Sequence, residues 1–330
     1  MATKSNNIVG ITMGDPAGIG PEIVARALSA QHNYQNIYPI IVGSAAMIQK
    51  EIKKYDLEFS INIIEEVEEA QYNSDKVDIL DLDNVEPEEL QVGAIQARAG
   101  QAAYEYIKKA TELALAGKID AISTAPIHKE ALEKARVGKK GCTEILGDLT
   151  NTDNPLTMFT LENLRIFFFT RHLSLKEAIY RIEKDSLINM TQQCLKELGK
   201  LGIEKGKFAI AGLNPHCSDG GLFGKEEQEE IIPAIQELQQ QDYDIIGPIG
   251  ADSVFHLANQ NNWAGVLSLY HDQGHIAAKT LGFYRTVSVT LGLPFLRTSV
   301  DHGTAFDIAG QGKANPISMV EAIKKVAEYL

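Results

Sequence analysis

Three histidines in this chain come directly after apolar runs that have the composition of buried β-strands. They are His172, His216 and His271. The carboxyl ends of the strands in a parallel α/β sheet share one edge, and ligands bind there. Three imidazoles delivered to that edge could bind a divalent cation and leave positions open for a substrate. Because no HxH or HxxxH spacing supports this interpretation, the alternative of surface or hydrogen-bonded core histidines stays open.

Two aspartates lie where they could support such a site. Asp272 is next to His271, and Asp252 follows Gly250 and Ala251. A carboxylate at either position could supply an oxygen ligand or accept a hydrogen bond from a ligating imidazole.

A lysine and an arginine form a second candidate site. Lys279 and Arg297 lie on either side of a predicted strand, Thr286–Leu291, in a chain with a net charge of -13. Near the same sheet edge they could hold a phosphate, and arginine can do so through two parallel hydrogen bonds. Solvated surface charge is the alternative interpretation.

Two segments rich in glycine and turn-forming residues require close approaches of the backbone. The first, Met13–Glu22, follows a predicted strand but matches neither G-x-G-x-x-G nor a P-loop. It predicts either a helix N-terminus that faces an anion or a tight strand-to-helix turn. The second, Asp301–Pro316, precedes the final helix and must be a loop that comes close to a partner, which the residue types alone do not name.

The elements that position these residues alternate between short apolar runs and helical patterns, which predicts an α/β sheet with crossover helices. Most predicted strands are apolar on both faces, as buried parallel strands are. The predicted strands are Ile8–Thr12, Tyr38–Val42, Ala121–Thr124, Lys207–Leu213 and Gly265–Leu269, and the clearest helices are Val92–Ala116, Leu175–Leu198 and Lys225–Gln241.

One region departs from this alternation. Thr157–Thr160 and Leu164–Thr170 flank a short polar turn, which predicts a hairpin and therefore an antiparallel insertion. We predict a first α/β domain over residues 1–135 plus 286–330 and a second over 136–285. A single continuous mixed sheet is the alternative.

The composition excludes several classes of protein. With 44% hydrophobic and 23% charged residues the chain is typical of a globular protein, and its negative charge argues against a nucleic-acid surface. No apolar run approaches the ~20 residues that cross a bilayer, and the polar Met1–Asn7 has no apolar signal core. Three cysteines without CxxC spacing predict reduced thiols and a cytoplasmic location. We therefore expect no nucleic acid and no membrane among its partners.

Four segments together resemble the 4-hydroxythreonine-4-phosphate dehydrogenase family. They occur in the family's order and are Ile11–Glu22, Leu213–His216, Tyr270–Gly274 and Leu293–Thr304. The loop Asp301–Pro316 is also similar to the adenosine-binding loop of isocitrate and isopropylmalate dehydrogenases. The resemblance implies their fold: a homodimer of two-domain α/β/α subunits, with the active site in the interdomain cleft and shared between subunits. It implies nucleotide binding by the first domain, and metal ligands and the dimer interface in the second.

The resemblance also implies roles for individual residues. The metal ligands, shared across the dimer, would be His172, His216 and His271. The residues that bind NAD or NADP would be His302, Gly303, Ala305, Asp307 and Asn315. The residues that contact the substrate would be Cys142, Thr143, Lys279, Ser288 and Arg297.

Two of these positions depart from the family's usual residues, which bears on the identity of the substrate. Cys142 stands where the family has His, and Ser288 stands where it has Asn. A thiol is only a weak donor, and serine is shorter than asparagine. His275, Gly282–Tyr284 and Ala305–Ala309 resemble the paralogous branch that oxidises 4-phospho-D-threonate and 4-phospho-D-erythronate, rather than the branch of pyridoxine biosynthesis.

The implied activity is an NAD(P)-dependent oxidation of a CH–OH group in a 4-phosphorylated 3-hydroxy acid, followed by decarboxylation. One divalent cation (Zn, Mg, Co, Mn or Ni) would assist it. Lys279 would help to fix the phosphate, and Asp252 or Asp272 would accept the hydroxyl proton. The alternatives are a dehydrogenase of a non-phosphorylated cis-dihydrodiol carboxylate, a nucleotide-independent metal hydrolase or aldolase, and a non-catalytic phosphometabolite-binding protein.

Overall fold

The computed structural model describes residues 7–29, 34–73, 75–138 and 141–330. The chain divides into two compact units. Unit 1 comprises the residues up to Pro155 together with Val287–Leu330, and unit 2 comprises Leu156–Thr286. The polar stretch before Asn7, in which the sequence predicted no signal core, lies outside the described residues.

The strands, in chain order, are β1 (Asn7–Thr12), β2 (Ile37–Gly43), β3 (Ser60–Ile64), β4 (Lys76–Asp81), β5 (Ala121–Thr124), β6 (Leu156–Leu161), β7 (Leu164–Phe168), β8 (Phe208–Ala211), β9 (Ile245–Ile249), β10 (Gly265–Ser268), β11 (Val287–Leu291) and β12 (Leu296–Val300). The α-helices are α1 (Gly20–Leu28), α2 (Ala45–Tyr55), α3 (Ala97–Leu115), α4 (Lys129–Lys134), α5 (Cys142–Leu149), α6 (Leu175–Tyr180), α7 (Lys184–Lys200), α8 (Ile232–Gln240), α9 (Val254–Gln260), α10 (His271–Gly282) and α11 (Ile317–Tyr329). Among the described residues, no helix combines the length and the apolarity needed to cross a bilayer.

The sheet of unit 1 has the strand order β3-β4-β2-β1-β5-β12-β11. Its neighbours are parallel, except that β11 and β12 pair antiparallel. Every residue of β5 is buried, as expected for a strand that is covered on both faces.

The boundary between the two units lies at a different residue from the predicted boundary, which followed residue 135. Ile145 and Leu146 of α5 pack with Ile107 of α3 and Leu132 of α4 in one apolar cluster of unit 1. Because this cluster holds the segment that follows residue 135, the division falls after Pro155.

The sheet of unit 2 has the strand order β6-β7-β10-β8-β9. β6 and β7 form the predicted antiparallel hairpin, and the other neighbours are parallel. An apolar cluster that includes Phe159, Ile166, Phe168 and Val266 covers this sheet. Because β10 pairs parallel with both β7 and β8, the carboxyl ends of these three strands lie side by side.

Two predicted helices are interrupted. The segment Leu175–Leu198 forms α6 and α7, because Glu183 is extended and Glu230 accepts a hydrogen bond from the Lys184 amide at 2.6 Å, where α7 begins. The segment Lys225–Gln241 contains a π-helical turn, Glu227–Ile231, before α8. Pro233 has no N–H for an i→i−4 bond, which accounts for the altered register.

Candidate functional site

Two of the three predicted metal ligands are neighbours in unit 2. His172 follows β7 and His271 follows β10, and their ring centroids are 6.0 Å apart. The Nδ1 atom of His271 is 2.6 Å from Oδ1 of Asp272. An imidazole that is hydrogen-bonded to a carboxylate through Nδ1 presents Nε2 to a ligand. The geometry at His271 therefore suits a metal ligand oriented by Asp272.

A further histidine fixes the plane of the His271 ring. The two rings of His271 and His275 stack at 3.6 Å with 11° between their planes, and Nδ1 of His275 is 2.8 Å from the His271 carbonyl oxygen. Phe159 and Phe168 contact the His275 ring from other sides. Burial lowers the pKa of His275 to about 4, so this ring is neutral near pH 7. The sequence singled out His275 only by resemblance to a branch, not for this contact.

His216 lies in a strained turn, Pro215–Asp219, that follows β8. His216, Cys217 and Ser218 all have positive φ angles, of 52°, 52° and 67°. Such conformations of non-glycine residues cost about 1–3 kcal/mol each and persist only when the surroundings hold them. The turn is thus a segment whose geometry depends on its neighbours.

The carboxylate of Glu227 anchors the strand-to-turn connection before His216. This fully buried side chain accepts hydrogen bonds from the amides of Leu213 at 2.8 Å and Asn214 at 2.7 Å, and from Nδ2 of Asn214 at 2.8 Å. The sequence pattern places Glu227 in a predicted helix and does not reveal this anchor. The signal that could have found it is a glutamate at the start of the helical segment that follows Asn-Pro-His.

The structure does not assemble the three histidines within one chain. Among the described residues, no three His, Cys, Asp or Glu side chains lie close enough together to hold a metal ion. Asp252 lies near the turn that carries His216, since its charge, after burial and Glu227, raises the pKa of the Cys217 thiol. The assignment of His172, His216 and His271 to one site stays a prediction that requires a second chain.

In unit 1, Arg297 is buried at the centre of a group of hydroxyls. Its side chain is 5% exposed, so the interpretation as solvated surface charge is wrong for this residue. The guanidinium donates to Oγ1 of Thr290 at 2.9 Å and to Oγ1 of Thr124 at 2.5 and 3.1 Å. In the part of the chain that the structure describes, no carboxylate pairs with it. A buried cation with only neutral partners is costly, so this position suits an anionic ligand.

The other predicted substrate contacts lie on three elements. Cys142 and Thr143 begin α5, and both are half-buried. Ser288 lies on β11, opposite Ser299. Lys279 lies on α10 in unit 2, where its Nζ is 5.4 Å from the centroid of the Phe283 ring. Their contact with a substrate stays a prediction.

The glycine-rich segment Met13–Glu22 is a backbone clamp for the loop 301–316. The Ile19 amide donates to the Thr304 carbonyl at 3.0 Å. A Cβ atom on Gly18 would lie 2.9 Å from Cβ of Thr304, which explains the glycine. The ring of Phe306 stacks on His128 at 4.7 Å. Of the two interpretations, these contacts support the tight turn, whose partner is the loop itself.

The predicted nucleotide-binding residues are held in this same loop. His302 has Nδ1 3.0 Å from the Gly303 carbonyl oxygen, and Ala305 has a φ angle of 42°. Asp307 is exposed. Oδ1 of Asn315 accepts a hydrogen bond from the Ile317 amide at 3.0 Å, so this side chain also starts α11.

Asp15, in the clamp, is a buried carboxyl that sequence reasoning did not identify. Its Oδ1 accepts a hydrogen bond from the Ala17 amide at 2.9 Å, and its Oδ2 has no partner among the described residues. Burial raises the pKa of Asp15 to about 6, against the opposing effect of the Ala17 and Gly18 amides.

Comparison with known proteins agrees with this architecture. Residues 35–326 match the model of the family described as pyridoxal phosphate biosynthetic protein PdxA. A Clostridium botulinum (strain Langeland) relative named "Putative D-threonate 4-phosphate dehydrogenase" is 51% identical over 322 residues, which cover 98% of this chain and 96% of the relative.

Solved structures resemble the chain over nearly its whole length. A 4-hydroxythreonine-4-phosphate dehydrogenase from Burkholderia phymatum is 42% identical, with a TM-score of 0.85 and 98% of each chain covered. A terephthalate 1,2-cis-dihydrodiol dehydrogenase from Burkholderia xenovorans is 27% identical, with a TM-score of 0.65 and the same coverage. The first similarity confirms the predicted α/β fold of the isocitrate and isopropylmalate dehydrogenase type. With its motifs, its sheet and these matches in agreement, the chain belongs to the PdxA family.

Proposed function

We propose that this protein is an NAD(P)-dependent dehydrogenase that oxidises the CH–OH group of a 4-phosphorylated 3-hydroxy acid. The leading candidate substrates are 4-phospho-D-threonate and 4-phospho-D-erythronate. The substrate of the biosynthetic branch, 4-(phosphooxy)-L-threonine, is the other candidate. The observation that carries the proposal is Arg297, a buried guanidinium that lacks an anionic partner among the described residues. A phosphate would supply that partner. The name of the 51% identical relative supports the same substrate class.

Arg297 and Lys279 are the residues proposed to bind the phosphate. Thr124 and Thr290 hold the guanidinium in place, so little side-chain entropy is lost when an anion binds. Binding energy gained at the phosphate, away from the reacting carbon, would orient the substrate for hydride transfer.

The histidines are proposed to hold one divalent cation, with His172, His216 and His271 as ligands. Such an ion, when bound, would polarise the substrate hydroxyl and later the keto oxygen as a Lewis acid. The chain's own part is to orient the imidazoles, as Asp272 and His275 do for His271. Asp252 or Asp272 would accept the hydroxyl proton through water.

In the proposed reaction the C–H bond breaks, and its hydride goes to the nicotinamide of NAD or NADP while the hydroxyl proton goes to the carboxylate base. The C–C bond to the carboxylate of the resulting β-keto acid then breaks, carbon dioxide leaves, and the enolate that remains takes up a proton to give the ketone. The dinucleotide is proposed to bind at the loop that contains His302, Gly303, Ala305, Asp307 and Asn315.

A homodimer is part of the proposal, because the described residues of one chain do not bring three metal ligands together. Unit 2 also exposes several large apolar side chains, among them Tyr243 and Leu257. Others are Leu173, Leu175, Tyr180, Leu222, Phe223, Ile276, Leu281, Phe283 and Tyr284. Exposed apolar surface of this kind suits a contact with a second copy. The three cysteines without disulfides support a cytoplasmic location.

Oxidation of a non-phosphorylated cis-dihydrodiol carboxylate is the second candidate, and the 27% identical relative favours it. Dependence on the phosphate separates the two functions. The purified protein is assayed for nucleotide reduction with NAD or NADP, each divalent cation, and each of three kinds of substrate: the 4-phosphorylated acids, their dephosphorylated analogues and a cis-dihydrodiol carboxylate. Reduction only with a phosphorylated acid supports the proposal. Reduction with the cis-dihydrodiol carboxylate, and without dependence on a phosphate, would favour the second candidate. No reduction with any of these substrates would favour a hydrolase, an aldolase or a binding protein.

A further inference from the structure

Four side chains from the first two helices hold the segment Gly310–Ala314. Glu22 and Arg26 lie on α1, and Lys54 and Tyr55 lie at the end of α2. Nη1 of Arg26 donates to the Ala314 carbonyl at 2.5 Å, and Nζ of Lys54 donates to the Gly310 carbonyl. We call these four side chains the loop brace.

Glu22 is the centre of the loop brace. Its buried carboxylate uses both oxygens: Oε1 accepts from the Ala314 amide at 3.1 Å and from Nη1 of Arg26 at 3.2 Å, and Oε2 accepts from the Tyr55 hydroxyl at 3.1 Å. Three donors therefore converge on one charged group. Hydrogen bonds to a charged group are stronger than neutral ones, and leaving such donors buried without an acceptor is costly.

The ring of Tyr55 sets the path of the loop directly. A Cβ atom on Gly312 would lie 3.0 Å from the Tyr55 ring, and Gly312 has a φ angle of 72°. Arg26 and Lys54 both lie over the faces of the same ring. The backbone at Gly312 is thus held against an aromatic ring whose own position depends on Glu22.

The loop 301–316 is consequently fixed at two points. The clamp Met13–Glu22 holds it at Thr304, and the loop brace holds it from Gly310 to Ala314. The predicted nucleotide-binding residues His302 to Asn315 span both points. Small shifts of the 310–314 backbone would move several of them together.

We infer that Glu22 is a positioning residue for the dinucleotide: through Arg26, Tyr55 and the Ala314 amide it sets the backbone to which the nucleotide binds, without touching the nucleotide itself. This inference rests on the proposed function. The substitution Glu22→Gln keeps the size of the side chain but removes the charge and turns an –NH₂ donor toward Arg26 or Tyr55. The loop then loses part of its support, while the remaining predicted substrate and metal residues keep their surroundings.

The test is calorimetric titration of the homodimer with NADH and with NADPH, without substrate or metal. For Glu22→Gln we expect the Kd of the preferred dinucleotide to rise about tenfold, which matches the loss of roughly one charge-assisted hydrogen bond. In turnover assays the KM for the dinucleotide should rise by a similar factor, with the KM for the hydroxy acid unchanged. A general loss of structure would not raise one KM selectively.

Two further variants keep the inference testable. Tyr55→Phe retains the ring beside Gly312 and removes only the bond to Glu22, so its Kd should rise about two- to threefold even if Glu22→Gln folds poorly. Glu112→Gln removes an exposed carboxylate from α3 and should leave the Kd as in the wild type. If the wild type binds a dinucleotide and the Kd is unchanged in both Glu22→Gln and Tyr55→Phe, the inference about the loop brace is wrong, while the proposed function is unaffected. A wild type that binds neither NADH nor NADPH would instead remove the proposed function and the inference with it.

Discussion

The burial of Arg297 makes a direct prediction about substrate binding. Replacing it by Ala removes donors that a phosphate would use, so the KM for a 4-phosphorylated acid should rise by about 10- to 100-fold. The kcat at saturation should fall much less, because the phosphate is remote from the reacting carbon. Initial rates with varied hydroxy acid at saturating dinucleotide measure both constants.

Stability provides the control for this substitution. Arg297 is a buried cation paired with hydroxyls, so Arg297→Met should leave the unliganded protein at least as stable as the wild type. Arg98→Ala, which breaks an exposed ion pair with Glu89, should change neither KM nor stability appreciably. An unchanged KM for the phosphorylated acid in Arg297→Ala would remove its role in phosphate binding.

The buried Asp15 predicts a dependence of stability on pH. Its pKa is raised from 3.8 to about 6 in the folded protein, so folding favours the neutral carboxyl. Well below pH 3.8 Asp15 is protonated in both the folded and the unfolded state, so it causes no loss of stability. As the pH rises toward 6 the unfolded state releases its proton first, and the free energy of unfolding falls by up to about 3 kcal/mol.

Asp15→Asn tests whether the buried charge of Asp15 causes this loss of stability, because it keeps the Oδ1 acceptor for the Ala17 amide and removes the charge. Its amide nitrogen remains buried, which offsets part of the gain, so we expect a stabilisation of about 1–2 kcal/mol near pH 8 and none well below pH 3.8. Urea unfolding of both proteins across this range measures the difference. The exposed Asp153→Asn is the matched control, and an equal stability of wild type and Asp15→Asn near pH 8 would contradict the burial penalty.

Among the elements, the turn Pro215–Asp219 and the π-helical turn behind it act together through Glu227. Glu227→Gln can keep one oxygen facing the amides of Leu213 and Asn214, but it removes the charge and places an –NH₂ donor beside Nδ2 of Asn214, so the turn that carries His216 should be held less firmly. Substitutions that disturb the orientation of a ligand cost about 10- to 100-fold in metal affinity. We expect a loss in that range when the metal-free protein is titrated with Zn²⁺ or Mn²⁺ by calorimetry.

Glu229→Gln, two residues away and exposed, is the control for this prediction and should bind metal as the wild type does. Circular dichroism separates a local effect from unfolding. If Glu227→Gln retains full metal affinity, His216 either does not depend on the anchor or is not a ligand.

The elements also show how far sequence reasoning reaches. The strands β1, β5 and β10 and the β6–β7 hairpin follow from apolar runs and turn residues, which are local signals. The break between α6 and α7 was missed because it depends on Glu230, which is distant in the sequence. The bond between Glu22 and the Ala314 amide joins residues 292 positions apart, so the motif at each end was visible but their contact was not. The sequence shows that Arg297 is a cation, but its burial could not be predicted because it depends on the pairing of β12 with β5 and β11.

For the assembled molecule, the decisive question is whether two chains build one metal site. The structure keeps His172 and His271 as neighbours and brings no third ligand to them within one chain's described residues. If the site is shared, His216 and His271 of one functional site come from different subunits. Each of His216→Ala and His271→Ala should then be inactive alone and unable to retain metal.

Mixing the two inactive variants tests this arrangement. A heterodimer has one site that lacks both histidines and one site that keeps both, because each subunit contributes to both sites. After unfolding and refolding of an equal mixture, about half of the dimers are mixed, so up to about one quarter of the wild-type activity should return. Light scattering measures whether the wild type and each variant form the proposed dimer, and a mixture of His216→Ala with itself serves as the control. Should the mixed sample stay inactive although dimers form, His216 and His271 would have to act within one chain or not at all in the same site.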